Sequence, residues 1–130
     1  MSRRITNFTL AGAGATLAFI GGALMFTPRA FLRMSDIVVE QDPSLLSELT
    51  APGGVLLIAG TFMVLAVIRP HFTKLALMIG AIVYGSYGIA RLASMAMHGV
   101  PSQSLITAAA VELAVAVLLL ALERRHNNDV

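Results

Sequence analysis

Apolar residues fall into four long blocks along the chain, separated by short stretches rich in proline, glycine and charge. A bilayer's hydrocarbon core, about 30 Å thick, takes about 20 mostly apolar residues in a helix rising ~1.5 Å per residue. The blocks at 5–27, 47–68, 72–97 and 104–122 are each long enough. In lipid a backbone must satisfy its own hydrogen bonds, so runs of this length are helices. The pattern therefore predicts an all-α protein, an integral membrane four-helix bundle occupying residues 1–130 as a single transmembrane domain.

The links between the blocks set the topology. Arg69-Pro70-His71 joins the second and third blocks, and His98-Gly99-Val100-Pro101-Ser102 joins the third and fourth. Links this short force antiparallel neighbours. The first connection, from Pro28 to Ser47, is the longest. Thr27-Pro28 has the form of an N-cap followed by a first helical residue, which predicts a short interfacial helix over Pro28–Met34. Phe31, Leu32 and Met34 are expected to face lipid there, with Arg29 and Arg33 toward headgroups. Ile37-Val38-Val39 reads as extended chain. Asp42-Pro43 repeats the capping pattern, so the second helix can begin as early as Pro43.

Composition supports lipid as part of the solvent. Only 12% of residues are charged, against about 25% in soluble domains, and the mean hydropathy is +0.82. With no cysteine, disulfides, thiolate chemistry and cysteine metal sites are excluded. The net charge is +2 and no basic stripe carries interleaved aromatics, so nucleic acid is not an expected partner. Ser2-Arg3-Arg4 before an apolar run resembles the start of an export signal. The run to Thr27 is long enough to span, however, and no small-x-small cleavage pattern follows, so it reads as a retained first helix.

Charge is sorted by side. Arg3, Arg4, Arg69, Lys74, Arg124 and Arg125 fall on the side of the termini and the second link, whereas the opposite side holds Arg29 and Arg33. Basic residues accumulate on the cytoplasmic side, which predicts both termini inside and the long first connection outside. Gly14, Ala18 and Gly22 recur at four-residue spacing, as do Ala81 and Gly85, a pattern that lets helices approach closely in lipid. Packing within the monomer and a homo-oligomer interface are both consistent with it.

Candidate chemistry concentrates on charges inside the apolar blocks. Glu48, Arg91 and Glu112 lie in or at the edge of spans, where a charged group costs roughly 2.5–3.5 kcal/mol or more and is expected to face a partner or a cavity. Arg91 lies about 10 Å below the outer end of its helix and Glu112 about 12 Å below the outer end of the next. Two antiparallel neighbours with opposite charges at similar depth predict a salt bridge. Pro52 lies four residues after Glu48, so its ring conflicts with the Glu48 carbonyl and predicts a kink there. Tyr84, Tyr87, Arg91, Ser94 and His98 recur at spacings of three and four, placing them on one helix face. With Glu48 and Glu112 they are expected to outline an outward-opening polar pocket.

Three readings compete for these residues. The charges can serve only to fix helix register, the best-attested structural use of buried ion pairs. They can instead line a pocket for a lipid-like or small polar ligand. Acid–base catalysis by two carboxylates beside an arginine is the third, but no nucleophile, metal-ligand cluster or phosphate loop accompanies them. No cofactor and no metal is implied. The expected partners are membrane lipids and, where the charges only lock the helices, a homo-oligomer or a membrane-complex partner.

Ser47-Glu48-Leu49 followed by Ala51-x-Gly53-Gly54, then Arg91-Leu92-x-Ser94, Gly99-x-Pro101-Ser102 and Glu112-Leu113, occur in that order. In these motifs the chain resembles the uncharacterised bacterial membrane family catalogued as domain of unknown function 4345, over about Phe8 to Arg125. The resemblance implies a four-helix bacterial membrane protein of unknown activity, and with both termini expected in the cytoplasm the expected location is the bacterial inner membrane. It adds weight to Glu48, Arg91, Ser94 and Glu112. The family tends to carry a basic residue where this chain has Thr50 and an acidic one where it has His98.

Overall fold

The computed structural model describes residues 2–130, with side chains described from residue 3 onward. Four long helices form the body: α1 (Ser2–Phe26), α3 (Pro43–Ile68), α4 (Thr73–His98) and α5 (Gln103–Asn128). A short helix, α2 (Pro28–Arg33), sits between α1 and α3, and one turn of 3-10 helix at Pro70–Phe72 leads into α4. All four long helices are long and apolar enough to cross a membrane. Their exposed faces carry large apolar side chains such as Phe8, Phe19, Ile58, Ile82, Ile89 and Val117, the surface expected against lipid.

The helix ends follow local chemistry. Asp42 caps α3 by accepting a 3.0 Å hydrogen bond from the Ser44 N–H, with Pro43 at the first helical position. The capping expectation at Thr27 is met only in part. Pro28 opens α2, but the Thr27 hydroxyl donates back to the Ala23 carbonyl and caps nothing. Gly99 ends α4 at φ +100°, a conformation natural to glycine, while its N–H donates to the Met95 carbonyl. α5 continues to Asn128, six residues beyond the expected end, because Glu123, Arg124 and Arg125 are good helix formers with nothing to break them. α3 runs as continuous helix across Pro52.

Two antiparallel pairs, α1 with α3 and α4 with α5, build the bundle. Glycines bring the first pair together. A Cβ built on Gly14 would lie 2.8 Å from the Gly60 carbonyl oxygen, and one on Gly21 would lie 2.5 Å from that of Gly53. These glycines are spaced by seven residues on each helix, so two backbone crossings stack along one seam. Gly22, expected at such a contact, has nothing within 4 Å of its Cβ position. The seam uses the neighbouring face of α1.

One layer joins the two pairs. Leu10, Met63, Leu77 and Leu119, one from each long helix, are all fully buried. They lie in the half of the bundle nearer the chain termini. The other half is capped by α2 and the 34–42 loop, and the candidate site is there.

Candidate functional site

Arg91 and Glu112 meet as their depths require: the Arg91 Nε donates to the Glu112 Oε2 at 2.9 Å. α4 and α5 present the two residues to each other across a closely packed antiparallel pair. Gly88, one turn before Arg91, lets α5 approach, since a Cβ there would meet Leu113 at 2.7 Å. The pair is half-shielded, with 30% of the Arg91 side chain and 15% of the Glu112 side chain accessible. The Arg91 guanidinium carbon lies 5.9 Å from the centroid of the Tyr87 ring, within cation–π range. One turn deeper, the Tyr84 hydroxyl donates a 2.7 Å hydrogen bond to the Ala13 carbonyl of α1. This bond ties α4 to the other helix pair.

These four residues form the polar wall of a half-open cavity of about 290 Å³. Most of the remaining wall is apolar. Leu17, Ile20 and Leu24 come from α1, Leu56 from α3, Val83 from α4, and Leu105, Ala108 and Val111 from α5. Thr16, Ser35 and Ser104 add hydroxyls. Phe31 and Leu32 of α2, with Ile37 of the loop, line it as well.

The cap is held by specific bonds. The Arg29 Nε donates to the Val39 carbonyl at 3.2 Å and its Nη1 to Gln41 Oε1 at 3.4 Å. The Ser102 hydroxyl donates to the Ser35 carbonyl at 3.1 Å, fastening the loop to the α4–α5 link. Val39 is buried beneath while Val38 is exposed, the alternation expected of extended chain. Asp36 turns the chain at φ +62°, a left-handed conformation that aspartate tolerates better than most residues.

The sequence-derived set divides here. Tyr84, Tyr87, Arg91 and Glu112 are brought together on the cavity wall. Glu48, Ser94 and His98 are not; all three are exposed and lie off it. α3 begins at Pro43, so Glu48 occupies its second turn, where the carboxylate can face outward. Ser94 and His98 continue the α4 face, but α4 is largely uncovered from Leu92 to its end. Phe31 and Leu32 correct another expectation, for they line the cavity, and of the three α2-region residues Met34 is the one left 80% exposed. The apolar pair in α2 is the signal the sequence carries for this wall, and it faces inward where lipid was the expected side. Thr16, Ser35 and Ser104 carried no distinguishing pattern.

With four helices long and apolar enough to cross a bilayer, this is a membrane protein. No curated protein and no solved structure matches the chain. A family model does match, over residues 5–123, and the chain belongs to that family, described as a domain of unknown function, DUF4345.

Proposed function

We propose that the protein binds a lipid-like ligand in the cavity between its two helix pairs. The ligand's polar group rests against Arg91, Glu112 and Tyr87, and its apolar part lies along Leu17, Ile20 and Leu24. The observation that carries this reading is the cavity itself: a mostly apolar space of about 290 Å³ with an ion pair on one wall. Ligand sites are concave and mainly apolar, with a few convergent polar groups. The Arg91 side chain supplies donors of the right kind, since only its Nε is used by the protein among the described residues. The buried Leu10, Met63, Leu77 and Leu119 layer closes the path toward the termini, which favours binding over transport.

The distribution of basic residues supports both termini in the cytoplasm and the cavity in the outer leaflet, and the family resemblance favours a bacterial inner membrane. Ser94, His98 and Glu48 have no part in this site.

A second reading, an accessory subunit whose charges only lock helix packing, draws on the directness of the 2.9 Å ion pair between neighbouring helices. Native mass spectrometry of the purified protein with its co-purifying lipids separates the two, repeated on Glu112→Gln and Arg91→Ala. Loss of one bound species from variants that remain folded is the expected result. Unfolding of both variants, with no bound species on the wild type, would favour the lock.

A further inference from the structure

A second cleft, of about 310 Å³, lies at the opposite end of the bundle, far from the Arg91–Glu112 wall. It is framed by the start of α1, the α3–α4 link and the end of α5. Thr6 and Thr73 are the buried polar residues among those described, with 8% and 7% of their surfaces accessible, and both line this cleft. Threonines elsewhere in the helices, such as Thr16, Thr61 and Thr107, satisfy their hydroxyls on the carbonyl four residues back. Neither Thr6 nor Thr73 makes a side-chain hydrogen bond among the described residues. No buried side-chain oxygen or nitrogen among the described residues lacks a partner, so a hydroxyl with no protein partner here opens onto the cleft, where it can donate to an occupant.

Charge states what that something is. Arg3, Arg125 and His126 line the cleft, and Asp129 is the acidic side chain on its wall. The starts of α1 and α4 and the ends of α3 and α5 meet at this end, so the helix dipoles oppose one another and side-chain charge decides; neither first turn contains an acidic residue. The free N–H groups of a helix start carry partial positive charge and are normally balanced by a carboxylate or an anion. Here arginine and lysine stand in that position instead, at Arg3, Arg4 and Lys74. On the cleft wall itself Arg3, Arg125 and His126 stand against Asp129, at the end of the bundle where the apolar spans give way to polar residues. Basic pockets between transmembrane helices on the cytoplasmic side suit anionic lipid headgroups.

We infer that this cleft binds the phosphate group of a phospholipid headgroup. Arg3 and Arg125 bracket the phosphate, and the Thr6 and Thr73 hydroxyls donate to its oxygens. Asp129, at the rim, favours a headgroup that also carries an ammonium group.

The test uses the full-length protein, stripped of lipid in detergent, with phosphatidylethanolamine, phosphatidylglycerol or uncharged diacylglycerol added back. Native mass spectrometry should show both phospholipids retained and diacylglycerol not. Arg3→Gln/Arg125→Gln should weaken retention at least tenfold, whereas Arg4→Gln/Arg124→Gln should leave it within twofold. The two double variants remove the same charge, and Arg4 and Arg124 lie off the cleft wall. Equal weakening in both, or in neither, would overturn the site. As a readout independent of any substitution, phosphatidylethanolamine should raise the wild-type melting temperature more than diacylglycerol does; equal shifts would contradict the proposal. Displacement of bound phospholipid by inorganic phosphate would reassign the cleft to a free phosphate ion and overturn the lipid assignment.

Discussion

Gly21 and Gly22 are adjacent in sequence and should respond to alanine in opposite directions. A Cβ on Gly21 would sit 2.3 Å from the Leu57 nitrogen, 2.5 Å from the Gly53 oxygen and 2.8 Å from the Leu57 Cα. All three are backbone atoms, so no side chain can swing away. Ordinary contact begins near 3.4 Å, and reaching it requires α1 and α3 to part by about 1 Å. A gap of that size forfeits roughly a quarter to a half of each contact along the seam, and overpacking of this kind costs about 1–3 kcal/mol. Gly22 has open space at its Cβ position. Alanine there gains helix propensity, between zero and about 1 kcal/mol. Unfolding by rising dodecyl sulfate fraction in mixed micelles, followed by circular dichroism, reads both. Gly21→Ala should unfold earlier than wild type, and Gly22→Ala at the same point or later. Equal destabilisation by the two would mean that α1 is rotated differently against α3.

Removing one member of the Arg91–Glu112 pair leaves the other uncompensated in a poorly hydrated place, so Arg91→Met alone should cost about 3 kcal/mol in the same unfolding assay, the low end for such a break because 30% of the Arg91 side chain is accessible. Arg91→Met/Glu112→Leu together should return to within about 1 kcal/mol of wild type; additive losses would mean that the pair is not mutually compensating. Tyr84→Phe deletes the hydrogen bond to the Ala13 carbonyl and should cost about 1 kcal/mol without displacing the co-purified species seen by native mass spectrometry. Glu48→Gln should leave both stability and that bound species unchanged, and a clear loss of either would return Glu48 to the site.

Much of the architecture is legible from spacing alone, because lipid punishes alternatives. The four spans follow from length and apolarity, α2 from Thr27-Pro28, and the Arg91–Glu112 contact from two depths counted off a short link. Rotation about each helix axis is harder to read. In water the apolar stripe marks the inner face, but the helices of this bundle are apolar on both their packed and their lipid-exposed sides. α1 offers Gly12, Gly14, Ala18, Gly21 and Gly22 as small residues, and four-residue spacing selects Gly22 although the seam uses Gly21 at a spacing of seven. Periodicity likewise places Ser94 and His98 on the Tyr84–Arg91 face without telling where along α4 the neighbouring helices cease to cover it. Glu48 lies exposed in α3 for a related reason. An acidic residue near a helix start is tolerated by exposure as readily as by burial, so its charge did not specify a partner.

Ala108 offers the most direct test of the cavity as a binding site, because it lies on the α5 wall and takes no part in the ion pair. Ala108→Phe fills the space while leaving Arg91 and Glu112 in place. Native mass spectrometry of wild type and variant, purified side by side, should show one co-purifying species lost from a variant at least as resistant to dodecyl sulfate as wild type. The same bound species on both proteins would contradict a ligand in this cavity.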